Sequence, residues 1–522
     1  MQNSKIRVVV IGGGTAGWLT ANLLAADHDT GENGNLDITL VESPDIKTIG
    51  VGEGTWPSMR TTLERIGLSE TDLICECDAS FKQGSLFKNW YSADDSDHYY
   101  HPFSLPAGYQ QLEFSRFWQQ HRKNVDFASA ATPQASICRR GLAPKQLSTP
   151  EYAFILNYGY HLNAEKFVEL LTRHGKKKLG IRHMQDKVTD ILWPEHCDKQ
   201  QSPIKAVRTE KQGLLEADLF IDCSGFSGLL IGKHYQIPMR SVQDVLFNDR
   251  ALVLQVPYQD EQAPIQSCTL STAQQNGWIW DIGLSSRRGV GYVYASAYEP
   301  QADAEKRLRD YVARDRGEQA ASKAEPRELR FNSGYRQQFW KHNTVAVGLS
   351  AGFIEPLEAS ALALIEMSAR FISDNLNALE QHMPLVSERF NHRFSYHWQG
   401  IVEFLKLHYC LSAREDSAYW RDNRKNLSDS LEQKLMLWQH QSPSVYDKPL
   451  AEELFPAASF QYVYYGMQGA TTFAPQRRQS QQADQAEQLL QENQHKIQRM
   501  TQALPTNRAL INDIKQQGLR RL

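Results

Sequence analysis

A glycine turn near the start of the chain is the sequence feature that most constrains the fold. Gly12, Gly14 and Gly17 form the pattern G-x-G-x-x-G in "IRVVVIGGGTAGW", after an apolar run at residues 8–11 and before a helix-forming run at residues 16–26. The first glycine permits a tight turn, the second lets backbone N–H groups approach a pyrophosphate, and the third lets helix and strand pack closely. The pattern therefore predicts a βαβ unit that binds a dinucleotide where its helix begins.

The neighbours of these glycines complete the predicted site. Thr15 and Ala16 open the helix, so their backbone N–H groups point toward the ligand. Glu42 ends the next apolar run, "NLDITLVES", where a carboxylate accepts hydrogen bonds from an adenosine ribose. A glycine turn that only reverses the chain is the alternative, and it does not account for a strand, a helix and an acid in this order.

Two further glycine-rich segments favour FAD over a nicotinamide cofactor. One is "GVGEGT", with Gly52, Glu53 and Gly54 as candidate contacts, and the other is residues 348–361, which include Leu349. A flavin needs backbone contacts at several points along its length, whereas a diffusing nicotinamide needs one nucleotide-binding turn. The sequence contains no second nucleotide fingerprint to host NADH, so we expect FAD to be supplied already reduced.

Composition argues against several other classes of protein. The chain has 522 residues, with 57 Lys and Arg against 60 Asp and Glu, so its formal charge of −3 gives no field that would attract nucleic acid. The first residues lead into a strand without an export signal, and no apolar stretch reaches transmembrane length. The 7 scattered cysteines indicate reduced thiols in the cytoplasm and do not have zinc-site spacing. We therefore expect no nucleic-acid, membrane or metal partner.

The order of predicted elements indicates an α/β fold with an additional β-sheet. Apolar runs that end in glycine turns recur at "ADLFIDCSGFSG" and "TVAVGLSAG", so three such passages feed one Rossmann-like parallel sheet of the two-dinucleotide-binding flavoprotein type. The β-branched and aromatic runs "ALVLQVPY", "GWIWDIGL" and "VGYVYAS" predict a second, largely antiparallel sheet. The last part of the chain is predicted to be mostly helical and to bind the substrate.

These features divide the chain into predicted segments. In order they are an FAD-binding βαβ unit with the first flavin contacts (1–90), an irregular substrate-side insertion (91–150), a return to the FAD-binding domain (151–235), an antiparallel sheet (236–330), the last FAD-domain strand and helix (331–380) and a helical C-terminal region (381–522). The Gln-rich tail carries Leu490, Ile497, Met500 and Leu504 at helical spacing. It is predicted to form a helix that lies on the main body, with a homodimer contact as the alternative.

Several stretches together resemble the flavin-dependent tryptophan halogenase family. They are "GGGTAGW", "GVGEGT", "FKQGSLFKNW", "FIDCSGFSGLLIG", "GWIWDIGLSSRRGVGYVY" and "GFIEPLEAS". The most specific is Trp278-x-Trp280-x-Ile282, which is similar to the W-x-W-x-I-P signature of these enzymes, with Gly283 in place of the proline. Two alternating tryptophans on a strand are otherwise ordinary core residues, so this stretch depends on the others for its meaning.

The resemblance implies a reaction at two sites and the residues that perform it. Reduced FAD from a separate flavin reductase reacts with oxygen, and chloride or bromide is oxidised to hypohalous acid, which travels to a separately bound small aromatic. By motif match, Lys82 in "FKQG" holds the electrophilic halogen and Glu358 in "PLEAS" assists loss of the ring proton. His101 and Phe103 in "YYHPF" resemble the pair of residues that contact the substrate in this family.

The halide site departs from the family pattern. The family usually follows its glutamate with Ser-Thr-Gly, whereas this chain has Ala359, Ser360 and Ala361. Ala359 in place of serine removes a hydroxyl, and Ala361 in place of glycine adds a methyl beside its backbone N–H. The backbone N–H groups of Ser360 and Ala361 are still the expected halide contacts, and bromide is favoured over chloride because it is easier to oxidise.

The residues taken alone leave alternatives open. Lys82 lies between Phe81 and Leu86, so desolvation would alter its amine, but an exposed lysine on an amphipathic segment shows the same pattern. Glu358 is predicted in the first turn of a helix, where a carboxylate stabilises the macrodipole without a catalytic role. The His101 segment also fits an irregular, ordinarily packed loop. A flavin monooxygenase without halide use and a flavin-binding scaffold protein are the competing functions.

The expected substrate is a planar, electron-rich aromatic of the indole type. Stacking near His101, Phe103 and the helical C-terminal region is expected to hold it. The segments expected to cover the site are rich in aromatics, among them Tyr99, Tyr100, Tyr462, Tyr464 and Tyr465. The sequence does not identify partners for the carboxylate and ammonium of free tryptophan, so indole is expected to react at least as well as tryptophan.

Overall fold

The computed structural model describes residues 5–32, 34–45, 52–121, 124–317, 324–448, 450, 452–477 and 479–521. The chain divides into two compact units, each assembled from three stretches that are distant in sequence. The first unit comprises residues 1–78, 162–241 and 332–399, and the second comprises residues 79–161, 242–331 and 400–522. The finer division into segments stays a prediction.

The secondary structure can be given in chain order. In the described ranges the strands are β1 (Ile6–Ile11), β2 (Leu36–Glu42), β3 (Gly52–Gly54), β4 (Ser80–Lys82), β5 (Gly84–Lys88), β6 (His98–Pro102), β7 (Gly159–Asn163), β8 (Arg182–Gln185), β9 (Val188–Leu192), β10 (Ala206–Thr209), β11 (Gly213–Glu216), β12 (Leu219–Asp222), β13 (Met239–Ser241), β14 (Arg250–Pro257), β15 (Thr269–Gln274), β16 (Gly277–Gly283), β17 (Arg287–Tyr294), β18 (Arg327–Arg330), β19 (Gly334–Arg336), β20 (Trp340–Lys341), β21 (Thr344–Ala346) and β22 (Gly352–Phe353). The α-helices of the same ranges are α1 (Thr15–Asp27), α2 (Ser58–Arg65), α3 (Glu70–Glu76), α4 (Phe114–His121), α5 (Phe127–Ala131), α6 (Pro133–Arg139), α7 (Ala164–Lys178), α8 (Gln301–Arg316), α9 (Ala361–Asp374), α10 (Leu379–Cys410), α11 (Ala418–Asn423), α12 (Asp429–Trp438), α13 (Ala457–Gly466), α14 (Gln479–Ala503) and α15 (Asn507–Gln517).

The first unit is organised around a six-stranded sheet in the order β20-β21-β12-β1-β2-β8. β1 pairs in parallel with both β12 and β2, so Val9 lies opposite Phe220 on one side and Thr39 on the other. β21 continues the parallel part beyond β12. Strands that are buried on both faces are apolar throughout, which explains the continuous run "VVVI" in β1. The predicted Rossmann-like sheet, fed by three strand-to-glycine passages, is confirmed.

The second unit contains a seven-stranded sheet in the order β18-β14-β17-β16-β15-β5-β6. β14, β16 and β17 pair antiparallel, as their aromatic and β-branched sequences predict. Leu252, Ile279 and Tyr292 from these strands form a core with Leu308 of α8. Because successive side chains of a strand point to opposite faces, these core residues lie on one face of the sheet, and the residues between them lie on the opposite face.

Residues 91–150 are more regular than the sequence indicates. The expected irregular insertion contains β6 at the edge of the seven-stranded sheet, followed by α4, α5 and α6. The expectation failed because these elements are short, with helices of 5 to 8 residues, so each offers too little periodicity to be recognised.

The Gln-rich tail forms the predicted helix and lies against its own unit. α14 packs against α5 and α6, and Leu504 joins a small apolar cluster with Ile137, Leu142 and Leu156. The described residues contain no helix that combines the length and apolar character needed to cross a bilayer. All 7 cysteines lie in the described ranges as free thiols.

Candidate active site

The glycine turn of the first unit has the geometry that its sequence predicts. Gly12 has φ +119°, and a Cβ there would lie 2.2 Å from the carbonyl oxygen of Cys223. A Cβ at Gly17 would lie 1.9 Å from the carbonyl oxygen of Gly12. Both positions therefore require glycine, because the colliding atoms belong to the backbone.

Gly14 is different, since no atom lies within 4 Å of the position that its Cβ would occupy. Gly14 is the N-cap of α1 and provides no side-chain cap, so Thr15 and Ala16 begin the helix beside open space. Such a helix N-terminus presents backbone donors and a positive dipole end, which suit a pyrophosphate.

Glu42 stands at the end of β2, beside the turn. A Cβ at Gly13 would lie 2.2 Å from the Glu42 carboxyl carbon, so the middle glycine of the turn makes room for this side chain. His183 on β8 contacts the carboxylate, with 2.8 Å between Nε2 and Oε2. The indole ring of Trp18 packs edge-on against this imidazole with a centroid distance of 5.0 Å. Gly13 and His183 could not be recognised as site residues from the sequence, because neither is a defined position of the fingerprint.

The two further glycine-rich segments also belong to the first unit. Glu53 in β3 has a buried Oε2 without a hydrogen-bond partner, and burial raises the pKa of its carboxyl to about 7. Leu349 lies in a 3₁₀ turn that starts at Gly348, where a Cβ would lie 2.7 Å from the Cβ of Ala16. The turn therefore abuts the start of α1. Residues 50 and 51 of "GVGEGT" lie outside the described residues.

These features fit FAD. The glycine turn is a cradle that added side chains would fill, Glu42 ends β2 where the fingerprint expects an acid, and the buried Oε2 of Glu53 lacks a partner. The predicted contacts Gly52 and Gly54 flank that carboxyl in β3.

Glu358 lies in a turn that precedes α9, and its predicted position in the first turn of a helix is wrong. α9 begins at Ala361, whereas Glu358 has φ 68° and Ala359 has φ 52°. Left-handed backbone costs a non-glycine residue roughly 1–2 kcal/mol, so the surrounding structure must hold this turn. Glu358 is 6% exposed, and its carbonyl oxygen accepts a hydrogen bond of 2.8 Å from the indole N–H of Trp56.

The candidate halide residues form the start of α9. Ser360 is the N-cap and its side chain makes no capping hydrogen bond, while Ala361 is the first helical residue. Leu362, Ile365 and Ile372 are buried, so the predicted apolar face anchors the helix. The positive end of the helix dipole therefore lies directly after the Glu358 turn.

Lys82 belongs to the second unit and is buried. It is the last residue of β4, 1% exposed, with its Nζ 5.4 Å from the centroid of the Phe103 ring. The alternative of an exposed lysine is wrong. His161, fully buried on the paired strand β7, has a pKa well below its ordinary value because of burial and the nearby Lys82 charge. No motif marked His161 in the sequence.

His101 also lies in the second unit, on β6, and the alternative of an irregular loop is wrong. It is 6% exposed, its Nε2 lies 2.9 Å from Ser459 Oγ, and its ring packs against Phe404 at a centroid distance of 5.6 Å. Ser459 belongs to α13, so the C-terminal region does approach this candidate substrate contact, as predicted.

Of the tyrosines expected near the substrate, Tyr462 packs against His101 with a ring-centroid distance of 6.2 Å. Tyr99, Tyr100, Tyr462 and Tyr465 line a cavity of about 410 Å³ in the second unit, whose described walls do not include Lys82, His101 or Phe103. The Tyr464 hydroxyl donates to the carbonyl oxygen of Ala470 at 2.9 Å and lies 3.3 Å from that of Trp438.

β16, which carries the two tryptophans of the family signature, is hydrogen-bonded to β4, which carries Lys82. Trp278 is 1% exposed, and Trp280 lies over Gly291, where a Cβ would be 2.1 Å from the indole. Gly283 accepts a hydrogen bond of 2.5 Å from Ser80 Oγ, at the start of β4. The end of the signature strand thus holds the strand that carries Lys82.

The parallel sheet, the glycine turn and the acid at the end of β2 define a flavoprotein of the two-dinucleotide-binding class. The family model described as tryptophan halogenase matches residues 7–486. The tryptophan 6-halogenase SttH from Streptomyces toxytricini is 34% identical over 472 residues, covering 86% of this chain and 86% of that protein. The tryptophan 7-halogenase RebH from Lentzea aerocolonigenes is 32% identical over 455 residues, covering 83% and 81%.

A crystal structure of a tryptophan halogenase from Shewanella frigidimarina NCIMB 400 is similar over 100% of both chains, with a TM-score of 0.95 and 49% identity. The chain therefore belongs to the tryptophan halogenase family, and it is a flavin-dependent halogenase, an oxidoreductase.

Substitution of Gly14 by alanine tests the proposed flavin cradle. The added methyl meets no protein atom and Gly14 has an ordinary φ of −77°, so the fold should tolerate it. The methyl would occupy the open space assigned to the pyrophosphate. We expect FAD affinity, measured by quenching of flavin fluorescence, to fall by at least about tenfold, which corresponds to about 1.4 kcal/mol.

The matched control is Gly400→Ala, where a Cβ also meets nothing within 4 Å but the residue lies inside α10. This variant should bind FAD normally and unfold at or above the midpoint of the parent, because it lies inside a helix. Gly14→Ala should stay folded with a slightly lower midpoint, because alanine is a poorer N-cap than glycine. Normal FAD affinity in Gly14→Ala would place the pyrophosphate elsewhere.

Proposed function

We propose that this enzyme uses reduced FAD, oxygen and a halide to halogenate an electron-rich aromatic of the indole type. The observation that carries the proposal is the burial of Lys82 beside the Phe103 ring, in a chain of the tryptophan halogenase family. Lys82 is 1% exposed, and its terminal amine stands beside the ring of Phe103, which is assigned to the substrate site. The enzyme is proposed to act in the cytoplasm, where the free cysteines of the protein would stay reduced.

The cofactor site would be formed by residues of the first unit. The backbone of Gly12, Gly14 and Gly17 and the helix residues Thr15 and Ala16 would hold the pyrophosphate. Glu42 would accept hydrogen bonds from the ribose, and Gly52, Glu53, Gly54 and Leu349 are the further proposed contacts. When bound in reduced form, FAD would supply two electrons to O2, so that one oxygen atom ends in water and the other in hypohalous acid as the halide loses two electrons.

The protein residues would then direct the hypohalous acid and the ring proton. Ser360 and Ala361 present a helix N-terminus that suits a halide anion. Lys82 would hold the electrophilic halogen by hydrogen bonding or capture at Nζ. The aromatic carbon would attack the halogen, the oxygen–halogen bond would break, and the departing hydroxide would take a proton from Lys82 Nζ to form water. Glu358 would accept the proton lost from the ring and return it to the lysine through solvent, so that one ring hydrogen is exchanged for halogen.

His101 and Phe103 would position a planar substrate by ring contacts rather than through a dedicated ion pair.

The names of the relatives do not identify which ring position is attacked, because one is named a 6-halogenase and another a 7-halogenase. A flavin reductase is the proposed partner, since FAD must be reduced before it binds.

Incubation with a flavin reductase, FAD, NADH, bromide and a panel of indoles tests the function, with products analysed by mass spectrometry. We expect the bromine isotope doublet, faster bromination than chlorination, and no product without the reductase. Indole should have a kcat/KM at least equal to that of tryptophan. Products that gain oxygen without halogen would indicate a monooxygenase instead.

A strong preference for tryptophan over indole, with one ring position modified, would contradict the proposed substrate class but not the halogenase activity. Rapid oxidation of NADH without the reductase would contradict the proposed supply of reduced FAD. A no-enzyme control with added hypobromite separates free solution chemistry from enzymatic bromination, since free hypobromite gives mixed positions.

A further inference from the structure

We propose that Trp56 is a positioning residue for Glu358, acting through the hydrogen bond that its indole N–H donates to the Glu358 carbonyl. The proposal rests on the proposed function, in which Glu358 accepts the ring proton. Trp56 Nε1 lies 2.8 Å from that carbonyl oxygen although the two residues are 302 positions apart in the chain. Trp56 is half-buried and follows β3, the strand with the proposed flavin contacts.

The position of Trp56 is itself well anchored. It directly precedes Pro57, the N-cap of α2, and α2 packs against α9. The hydroxyls of Ser58 and Thr62 donate to the carboxylate of Glu366 on α9, at 3.1 and 2.5 Å. The helix that follows the Glu358 turn therefore holds the segment that carries Trp56. This arrangement places the indole donor at a defined point relative to the turn.

The backbone of the turn explains why such a donor matters. Glu358 has φ 68° and Ala359 has φ 52°, so both residues occupy the left-handed region that non-glycine residues disfavour. The peptide plane between them contains the carbonyl that Trp56 binds. Loss of that bond lets the plane rotate toward right-handed conformations, and the Glu358 carboxylate turns with it. Trp56 does not need to touch the substrate to affect proton removal.

The test replaces Trp56 with 3-benzothienylalanine, in which sulfur substitutes for the indole N–H while the ring shape is kept. We expect FAD affinity and bromide-dependent release of hypobromous acid, trapped by monochlorodimedone, to stay within about twofold of the parent. The kcat for aromatic bromination should fall by about tenfold, the range expected for one hydrogen bond, with KM little changed. Combination with Glu358→Gln should give little further loss, because both changes act on one group.

A matched control is the same replacement at Trp340, whose indole N–H also donates to a backbone carbonyl of the first unit, that of His342 at 2.9 Å. This variant should retain bromination kinetics. If the Trp56 variant loses FAD affinity or hypobromous acid release to the same degree as bromination, Trp56 has a general structural role and the proposal is wrong. Unchanged bromination would overturn it equally.

Amide hydrogen exchange at residues 357–361 gives an outcome that does not depend on the reaction. The Trp56 variant should exchange faster at this turn and at the parent rate in α7, since opening is local. Unchanged exchange contradicts the proposal even if the parent protein does not brominate. An inactive parent protein in the presence of reduced FAD would instead contradict the proposed function, so the two failures are distinguishable.

Discussion

Lys82→Ala is expected to abolish halogenation of the aromatic substrate while FAD binding and hypohalous acid release persist. Lys82 is 1% exposed in β4 and faces Phe103, a residue of the second unit, whereas the glycine turn and Glu42 belong to the first unit. Its proposed task follows halide oxidation, so its loss should not affect the flavin step. Product formation should drop below detection in the mass-spectrometric assay, and trapped hypobromous acid should remain near the parent level.

The fold itself must be controlled, because alanine leaves a cavity at a buried position. Lys82→Met retains most of the side-chain volume and removes the amine, so it should be equally inactive with a smaller loss of stability. Lys88→Ala, on the exposed end of β5, is the lysine control and should be active. Loss of FAD binding in both Lys82 variants would show that the lysine is structural. Halogenation by Lys82→Met would exclude a role for its amine.

Glu358→Gln is expected to lower the rate of aromatic halogenation by about 10²–10⁴-fold, the range for general acid–base catalysis. The amide has nearly the same shape as the carboxylate but is a poor proton acceptor. Thermal unfolding should change little, since the left-handed turn and the Trp56 hydrogen bond involve the backbone. FAD affinity and hypobromous acid release should also remain near the parent values.

Glu355→Gln is the matched control, because Glu355 is a buried glutamate three residues earlier that has no role in the proposed chemistry. This variant should retain halogenation if it folds, which the unfolding midpoint shows. Unchanged turnover in Glu358→Gln would show that Glu358 has no catalytic role and contributes only a negative charge near the start of α9. A primary isotope effect with ring-deuterated substrate that becomes larger in Glu358→Gln would further support proton transfer to Glu358.

The local features of this protein could be predicted from its sequence. The turn at Gly12 and Gly17 follows from steric rules that act within a few residues, and the structure shows the predicted backbone collisions for any other side chain. The antiparallel sheet around Trp278 was predictable because alternating aromatic and β-branched residues specify strands over short stretches. The family resemblance rests on the same short, contiguous motifs.

The tertiary structure alone decided which distant residues surround these motifs. Trp56 donates to a carbonyl 302 positions away, and His183 contacts Glu42 across 141 positions. Neither contact has a periodic signature, because hydrogen bonds between separate elements depend on how those elements pack. The prediction that Glu358 lies in a helix was wrong for the same reason, because this residue lies in a left-handed turn whose carbonyl accepts a hydrogen bond from the distant Trp56.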